Sequence, residues 1–537
     1  MRKITKHFIL GLALVSVAGV LTGCSKGKDD PNELEIYIAN AGYGYQWAHE
    51  IKNVFLEQDW VKEKYPDLKI TIFQNDDFTY AETVLNAGQA SNRYDLLISM
   101  NLIGFSGTED VLDLTELVYE QNIPGTNVKY KDKIFSSYAE SFEYYSKGNY
   151  NTAPKYYCAP WAGGMNGIVY NASFFKDNDY KVPNTTDELI AICDDFHEKT
   201  WKGSLDKTQQ FVFIQGKDES YFDNLFDIFW AQYQEVEGYY NYFNGIDDGS
   251  LSRNIFKQKG RVKSLEVFSE LLDHEESYVS PKTAYQNFMS NQRAFLKGES
   301  LLNVNGDWFV SEMKDIREDI VANNPNLDYS FKMMRTPIVS DIIELCESIE
   351  DDEELSALIT AIDAEETSLS GEGYSVNQFD FDRVKAARGV VSSLGTAHQM
   401  VVPSYALAKD AAVDFIRFMA TNEAQDAYIE ATDGASLPFE YDLQESNPEL
   451  YNEIDPLHKE RIAYLNSSFL KPYTLPSRFN FPLLKYGGVD AFYLSNGYDF
   501  FDKIRMDGKT PSDYYDETIA YYTEENWNKA LERAGLL

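Results

Sequence analysis

The stretch from Leu34 to Ser99 switches repeatedly between strand and helix periodicity, and this alternation constrains the fold more than any other feature of the chain. Apolar residues alternate in "LEIYI" (34–38) and "LKITIF" (68–73), and "YDLLIS" (94–99) is an apolar run typical of a buried strand. Apolar residues at helical spacing lie between these segments. The pattern predicts a parallel sheet with right-handed crossovers, and therefore an α/β fold.

The loops that follow the three predicted strands are the first candidates for a binding site. In parallel α/β sheets, ligands bind beyond the carboxyl ends of the strands. Here those ends run into "ANAGYGYQW" (39–47), "QNDDF" (74–78) and "MNLIGF" (100–105). The loops carry aromatic rings beside amides and carboxylates.

A second set of strands is predicted further along the chain, in "FVFI" (211–214) and in "SLLNVNGDW" (300–308), where a strand runs into a polar turn. A chain of 537 residues is long enough for two domains with insertions. Residues 341–388 are different, because they are acidic and lack strand character. This segment is predicted to be an inserted pair of helices with a solvated face.

The N-terminus has a basic start, a short apolar run and small residues, which together predict a secretory signal peptide over residues 1–23. The sequence "LTGC" (21–24) resembles the lipobox of bacterial lipoproteins. That resemblance implies cleavage before Cys24 and attachment of acyl chains (diacylglycerol, palmitate) to it, which anchor the protein stably when two or more are present. Residues 24–33 are then a polar tether, and the domain lies on the extracellular face of the cell membrane.

Composition excludes several classes of function. The formal net charge of −38 disfavours binding to nucleic acid. Beyond Cys24 the remaining cysteines are Cys158, Cys193 and Cys346, which allow at most one disulfide, and no HxxxH or CxxC pair predicts a zinc site. We expect no metal and no cofactor. The excess of aromatic residues, 15% of the chain, is explained by core packing or by carbohydrate binding.

Four segments together carry a family resemblance: the lipobox; "YYCAPWAGGMNGIVYN" (156–171) followed by "VPNTTDELIAIC" (182–193); "FLKGESLLNVNGDW" (295–308); and "AVDFIRFMATNEAQDAYIEATDGASLPF" (412–439). In this order they resemble the family 1 extracellular solute-binding proteins, which are distantly similar to maltose-binding proteins. The resemblance extends over nearly the whole chain after the signal peptide.

The resemblance implies a two-lobed, periplasmic-binding-protein-like α/β fold of type II, which closes on its ligand by a hinge. The N-terminal lobe is predicted to comprise residues 34–162 and 397–433, and the C-terminal lobe residues 163–396 and 434–537. The chain would cross between the lobes in the segment from Pro160 to "GIVYN" (160–171), in 393–400 and in "GASLP" (434–438). Gly163, Gly164 and Gly167 suit such a hinge, or are simple loop glycines.

The function implied is that of a monomeric, membrane-anchored receptor, not an enzyme. It would capture an oligosaccharide and deliver it to the permease subunits of an ABC importer. An alternative is a receptor for peptides or another small solute on the same scaffold. A surface glycoside hydrolase is a further alternative, which needs a pair of carboxylates that no motif singles out. A hydrolase using Cys158 needs a histidine base, and neither His197 nor His398 has supporting context.

The candidate site follows from the chemistry of a sugar, whose hydroxyls need Asp, Asn or similar partners and whose C–H face favours an aromatic ring. Aromatic and short polar residues at strand ends and crossings are the candidates: Tyr43, Tyr45, Asp76, Asp77, Asn101, Trp161, Trp230, Asn305, Asp307 and Trp308. The family's "NG-x-W" tryptophan, which stacks on sugar, corresponds to Trp308. Trp161 and Trp230 could instead be core residues, and Trp47 is predicted to lie in the core.

Overall fold

A computed structural model of the chain describes residues 30–40, 42–201, 211–214, 221–272, 278–280, 286–371, 374–393, 398–469, 471–474, 481–488 and 508–537. The predicted signal peptide, Cys24 and most of the predicted tether lie outside the described residues. Within the described part of the chain, no helix is both long enough and apolar enough to cross a membrane.

Two sheets organise the described structure. Their strands are β1 Glu33–Ala39, β2 Lys69–Asn75, β3 Leu96–Ser99, β4 Ala159–Pro160, β5 Asn166–Asn171, β6 Phe211–Ile214, β7 Ser300–Gly306, β8 Phe331–Met334 and β9 Gln399–Val401. The first sheet has the order β2-β1-β3-β9-β4, and the second has the order β8-β5-β7-β6. Short two-stranded pairs lie outside both sheets.

The α-helices have these bounds: α1 Gln46–Glu57, α2 Asp59–Lys64, α3 Tyr80–Ala87, α4 Tyr130–Lys133, α5 Ser136–Ser141, α6 Ala172–Asp177, α7 Thr186–Trp201, α8 Tyr221–Gln234, α9 Val236–Asn244, α10 Lys259–Leu272, α11 Phe288–Leu296, α12 Phe309–Asn323, α13 Asp352–Asp363, α14 Gln378–Arg388, α15 Lys409–Phe418, α16 Asn422–Ala431, α17 Leu443–Ser446, α18 Pro448–Glu453, α19 Pro456–Leu465, α20 Pro511–Tyr521 and α21 Glu524–Ala534.

The first sheet confirms the three strands predicted at the start of the chain. β1 pairs in parallel with β2 on one side and with β3 on the other, so that Ile36 is level with both Ile72 and Leu96. Every residue of β3 is buried, as the apolar run predicted. Between these strands, α1 buries one face through Trp47, Ile51 and other apolar residues. Trp47 is therefore a core residue, as predicted.

The second sheet contains both strands predicted in that part of the chain. β6 and β7 are parallel, whereas β5 runs antiparallel to β7 and to β8. Each sheet has its own apolar core, one built mainly from residues 34–162 and 400–439 and the other from residues after 164. Residues 161–165 connect β4 in the first sheet to β5 in the second. The molecule thus has two α/β lobes, named here the first and second lobes after their sheets.

The acidic segment 341–388 contains the α-helices α13 and α14, as predicted, and also a short antiparallel strand pair, Ser370–Gly371 with Tyr374–Ser375, where no strand was expected. The two helices share a small apolar core of their own. Asp363 at the end of α13 forms ion pairs with Arg388 (2.6 Å) and Arg335 (3.1 Å), and Arg383 donates to the backbone carbonyl of Gln232 in α8 (2.9 Å). The segment therefore packs on the second lobe.

Candidate functional site

The carboxyl ends of β1, β2 and β3 meet at one edge of the first sheet. The parallel register places Asn40, just after β1, beside Asp76 after β2, and the Asn40 side-chain amide donates to the Asp76 carboxylate (3.0 Å). Asn101 follows β3 at the same edge, exposed and in the left-handed backbone region (φ 64°). The fold thus brings the predicted residues Asp76 and Asn101 to one polar edge.

Asp77 is held in a fixed orientation at this edge. Its carboxylate accepts hydrogen bonds from the Thr79 hydroxyl (2.7 Å) and from the Thr79 backbone N–H (2.9 Å). These bonds favour the charged form and lower the pKa of Asp77. The next residue, Phe78, has 37% of its surface exposed, which is unusual for a phenylalanine in a structured turn. The edge therefore presents a charged carboxylate and an exposed aromatic ring at successive positions of the chain.

Trp308 reaches this region from the second lobe. It follows β7 by two residues, yet it packs into the core of the first lobe and is 8% exposed. The Trp308 indole ring lies over Gly306. Its Cβ and Cδ1 atoms also lie close to Gly42 in the loop after β1, where a Cβ added to Gly42 would be 3.1 Å from both. Trp308 is thus the predicted site residue that joins the strand ends of both sheets.

We expect Gly306→Ala to displace the Trp308 indole. A Cβ at this position would lie 1.8 Å from Cζ3 of the ring, so the ring must move, and overpacking of this kind costs about 1–3 kcal/mol of unfolding free energy. Denaturant unfolding followed by tryptophan fluorescence measures both effects. Gly167→Ala is the matched control. Gly167 lies on β5, opposite Asn305 on β7, and an added Cβ would approach no atom closer than 3.8 Å. Equal stability of the two variants would contradict the prediction.

Asp307, Tyr43 and Asn305 are buried and bind other parts of the protein. The Tyr43 hydroxyl donates to the Asp307 carboxylate (2.8 Å), and the Asn305 side chain accepts the N–H of Gly306 (2.8 Å). Burial raises the pKa of Asp307, partly offset by Arg461. In this conformation all three side chains are buried and bonded within the protein, and their predicted contact with a ligand stays a prediction.

Trp161 also lies in the core of the first lobe. Its ring stacks on that of Trp47, with centroids 5.2 Å apart, and its indole N–H donates to the Ser99 carbonyl (3.3 Å). No part of the side chain is exposed. Of the two readings of Trp161, sugar stacking or core packing, this conformation agrees with core packing.

Trp230 is likewise a core residue, in the second lobe. It lies in α8, packs edge-on against Tyr239 and Tyr242, and donates to the side chain of Gln258 (3.0 Å). The ring is fully buried. In this conformation other aromatic side chains cover the Trp230 ring, which agrees with core packing and leaves no face of the ring open to a ligand.

Tyr45 keeps its predicted place near the polar edge. It precedes α1 directly, is partly exposed, and lies edge-on to His49 with ring centroids 6.0 Å apart. Together with Asp76, Asp77, Asn101 and Trp308, it completes the predicted residues that the fold brings to the strand ends. Sequence reasoning missed Asn40 and Phe78, although both stand in the loops that it quoted.

Cys158 is not placed to act as a nucleophile. Its thiol is buried, and burial raises its pKa to about 12, so that it stays protonated at neutral pH. Its closest polar neighbour is the Ser106 hydroxyl, 3.9 Å away. Among the described residues, no three His, Cys, Asp or Glu side chains come together in a group that could hold a metal ion.

Two α/β lobes with polar and aromatic side chains at their facing strand ends define a two-lobed binding protein. The chain belongs to the bacterial extracellular solute-binding proteins, because the model of that family matches residues 60–453, most of the sequence. The predicted family and the predicted type II fold are thereby confirmed. A comparison with curated protein sequences gave no match.

Solved structures of solute-binding proteins share the fold. RafE in complex with raffinose is 13% identical, with a TM-score of 0.54 over 92% of this chain and 99% of that one. Lmo0181 from Listeria monocytogenes in complex with cycloalternan is 14% identical, with a TM-score of 0.54 over 93% and 99%. A probable secreted solute-binding lipoprotein from Streptomyces coelicolor is 14% identical, with a TM-score of 0.55 over 92% and 99%. At these identities the similarity shows the fold alone.

Proposed function

We propose that this protein is the lipid-anchored receptor of an ABC importer, which captures an oligosaccharide between its lobes and presents it to the permease. The observation that carries the proposal is that Trp308, which follows β7 of the second sheet, packs against Gly42 in the loop after β1, two residues from Asn40 of the polar edge. An aromatic face beside carboxylates and amides matches the C–H face and the hydroxyls of a sugar ring. Closure on the ligand would be the signal that the permease reads.

The structural relatives support a sugar as the ligand. RafE binds raffinose and Lmo0181 binds cycloalternan, and both share the two-lobed fold over nearly the whole of this chain. The side chains at the strand ends here are of the same chemical kind that such ligands need, namely Asn40, Asp76, Asp77 and Asn101 with the rings of Phe78 and Trp308. Peptides remain the alternative that the experiment has to separate.

A thermal-shift screen tests the proposal directly. The protein is heated with raffinose, cycloalternan, xylo-oligosaccharides and chito-oligosaccharides, and in parallel with tri- to pentapeptides. A ligand at about 100 times its Kd stabilises the folded state by about 2.7 kcal/mol, which raises Tm by several degrees. A shift with an oligosaccharide supports the proposal. A shift with peptides alone would replace it by the peptide receptor.

Turnover separates a receptor from a glycoside hydrolase. The protein is incubated with the oligosaccharide that shifts its Tm, and the sugar is recovered and measured by chromatography. We expect the bound sugar to be recovered intact, because the family is one of binding proteins. Release of shorter sugars at a rate that rises with the concentration of the protein would contradict the receptor proposal.

The lipid anchor is tested by Cys24→Ala. Metabolic labelling with a radioactive fatty acid is expected to mark the unaltered protein and to leave the variant without label, because only Cys24 lies in the lipobox-like sequence. Cys346→Ala is the matched control, since its thiol is partly accessible in the folded protein. Label that persists in Cys24→Ala, or disappears in Cys346→Ala, would refute the assignment of Cys24.

A further inference from the structure

A buried carboxylate, that of Asp307, stands where the two lobes meet. Asp307 follows β7 directly, and its Oδ1 accepts hydrogen bonds from the Tyr43 hydroxyl (2.8 Å) and from the Met165 backbone N–H (3.3 Å). Tyr43 belongs to the loop after β1 in the first lobe, and Met165 to the connection between the lobes. One carboxylate therefore binds two other parts of the chain, the loop after β1 and the connection between the lobes.

Arg461 on α19 is the counter-charge of Asp307. Its Nε lies 3.4 Å from Oδ2, an ion pair without a hydrogen bond, and neither side chain has any exposed surface. The other guanidinium nitrogens donate to the Ser436 hydroxyl (2.5 Å) and to the Gly434 carbonyl (2.8 Å). Arg461 thus ties Asp307 to the "GASLP" segment, 434–438.

The "GASLP" segment and the 161–165 connection are themselves in contact. The Gly163 N–H donates to the Ser436 carbonyl (2.9 Å), and a Cβ on Gly163 would lie 3.0 Å from the backbone of Leu437. Gly434 has a φ of 121°, which only glycine adopts readily. The Asp307 cluster (Tyr43, Met165, Asp307, Ser436 and Arg461) therefore includes residues of both segments that link the lobes.

Breaking this cluster is costly, because a buried charge that loses its partner keeps the full desolvation penalty. Any rotation that separates the first lobe from the second must either preserve the Tyr43–Asp307 bond or expose its partners. We infer that Asp307 is the pivot of the lobe movement: a positioning residue that fixes the relative orientation of the two lobes without touching the ligand.

Two further features agree with a pivot at this place. Burial and the Asp307 carboxylate raise the pKa of Tyr43 well above its ordinary value, so its hydroxyl remains a hydrogen-bond donor at physiological pH. On the other side of Arg461 lies a cavity of about 320 Å³, lined by Phe135 and Ile429 from the first lobe and by Ile462 of α19. Arg461 therefore stands where α19 and the first lobe leave a space between them.

The inference rests on the proposed function only in taking lobe movement as part of ligand capture. It is tested without ligand, by electron–electron distance measurement between spin labels at Glu57→Cys on α1 and Glu318→Cys on α12, both exposed positions, in a Cys346→Ser background. Tyr43→Phe removes only the hydroxyl. The ratio of the wild-type orientation to other orientations is expected to fall about 10-fold or more, the effect of one hydrogen bond to a charged acceptor.

Tyr428→Phe is the matched control. Tyr428 is fully buried beside Tyr43, with ring centroids 6.4 Å apart, but its hydroxyl has no hydrogen-bond partner among the described residues. We expect its distance distribution to match the wild type. Identical distributions for wild type and Tyr43→Phe, or equal changes in both variants, would overturn the inference. If no oligosaccharide binds the unaltered protein, the proposed function is wrong. The distances between the spin labels, which are measured without ligand, still test whether Asp307 is the pivot.

Discussion

Replacement of Trp308 by alanine is expected to weaken binding of the oligosaccharide by about 30-fold or more, the effect of removing an aromatic residue worth at least 2 kcal/mol at the centre of an interface. The same change removes a large side chain from the first lobe's core, where it packs on Gly42 and Gly306. Such truncations cost about 3–5 kcal/mol of unfolding free energy. Isothermal titration of the folded variant measures affinity, and denaturant unfolding measures stability.

Trp230→Ala separates the two effects. Trp230 is a tryptophan of the same size, fully buried in the second lobe and away from the strand ends. We expect it to lose a similar amount of stability while the affinity of the folded protein stays within about twofold of the wild type, because its ring meets only core neighbours. If both variants lost affinity equally, the assignment of Trp308 to the ligand would be wrong.

Acid is expected to destabilise the protein through His398, by about 3 kcal/mol between neutral pH and pH 4. Burial against Trp161 and Tyr43 lowers the pKa of His398 to about 3, whereas in the unfolded chain it is about 6.5. Between these values the unfolded state binds the proton and the folded state does not. The free energy of unfolding therefore falls as the pH drops below about 6.5, by up to about 1.4 kcal/mol per pH unit.

His398→Gln isolates this term, because glutamine stays neutral across the range. The difference in unfolding free energy between wild type and variant, measured in urea from pH 7 to pH 4, should decrease steadily as the pH falls. Buried carboxyls with raised pKa values, such as Asp307 and Glu460, change the unfolding free energy in the opposite direction as the pH falls. Both proteins contain them, so that their contributions cancel in the difference. A pH-independent difference would show that His398 titrates normally.

The alternation of strand and helix spacing among the apolar residues predicted the fold, because this spacing is a local property of the sequence. Strand and helix spacing in residues 34–99 depends on which faces are buried, and a single sequence displays that directly. The same reasoning found the strand before Trp308 and the helices of segment 341–388. The domain boundaries stay predictions, although the two sheets place β1, β5 and β9 on the expected sides.

The site was harder to predict, because core and ligand make similar demands on an aromatic ring. Trp161 stands in a glycine-rich loop and Trp308 in a polar turn, but only the structure shows that one stacks on Trp47 while the other joins the lobes. No motif or spacing in the sequence pointed to Arg461 as part of the site. Its partner Asp307 is remote in sequence, and a single chain without an alignment gives no means of pairing them.

The position of β9 has a consequence for biosynthesis. β9 lies between β3 and β4, so the first sheet cannot be completed until residue 401 has left the ribosome, whereas the strands of the second sheet end at residue 334. At about 5–20 residues per second, on the order of 10–50 seconds separate the synthesis of β4 from that of β9. During this interval β3 has an unpaired edge that can join another chain. Of the two sheets, the one begun first is therefore the one completed last, and the growing chain exposes the edge of β3 until residue 401 has been made.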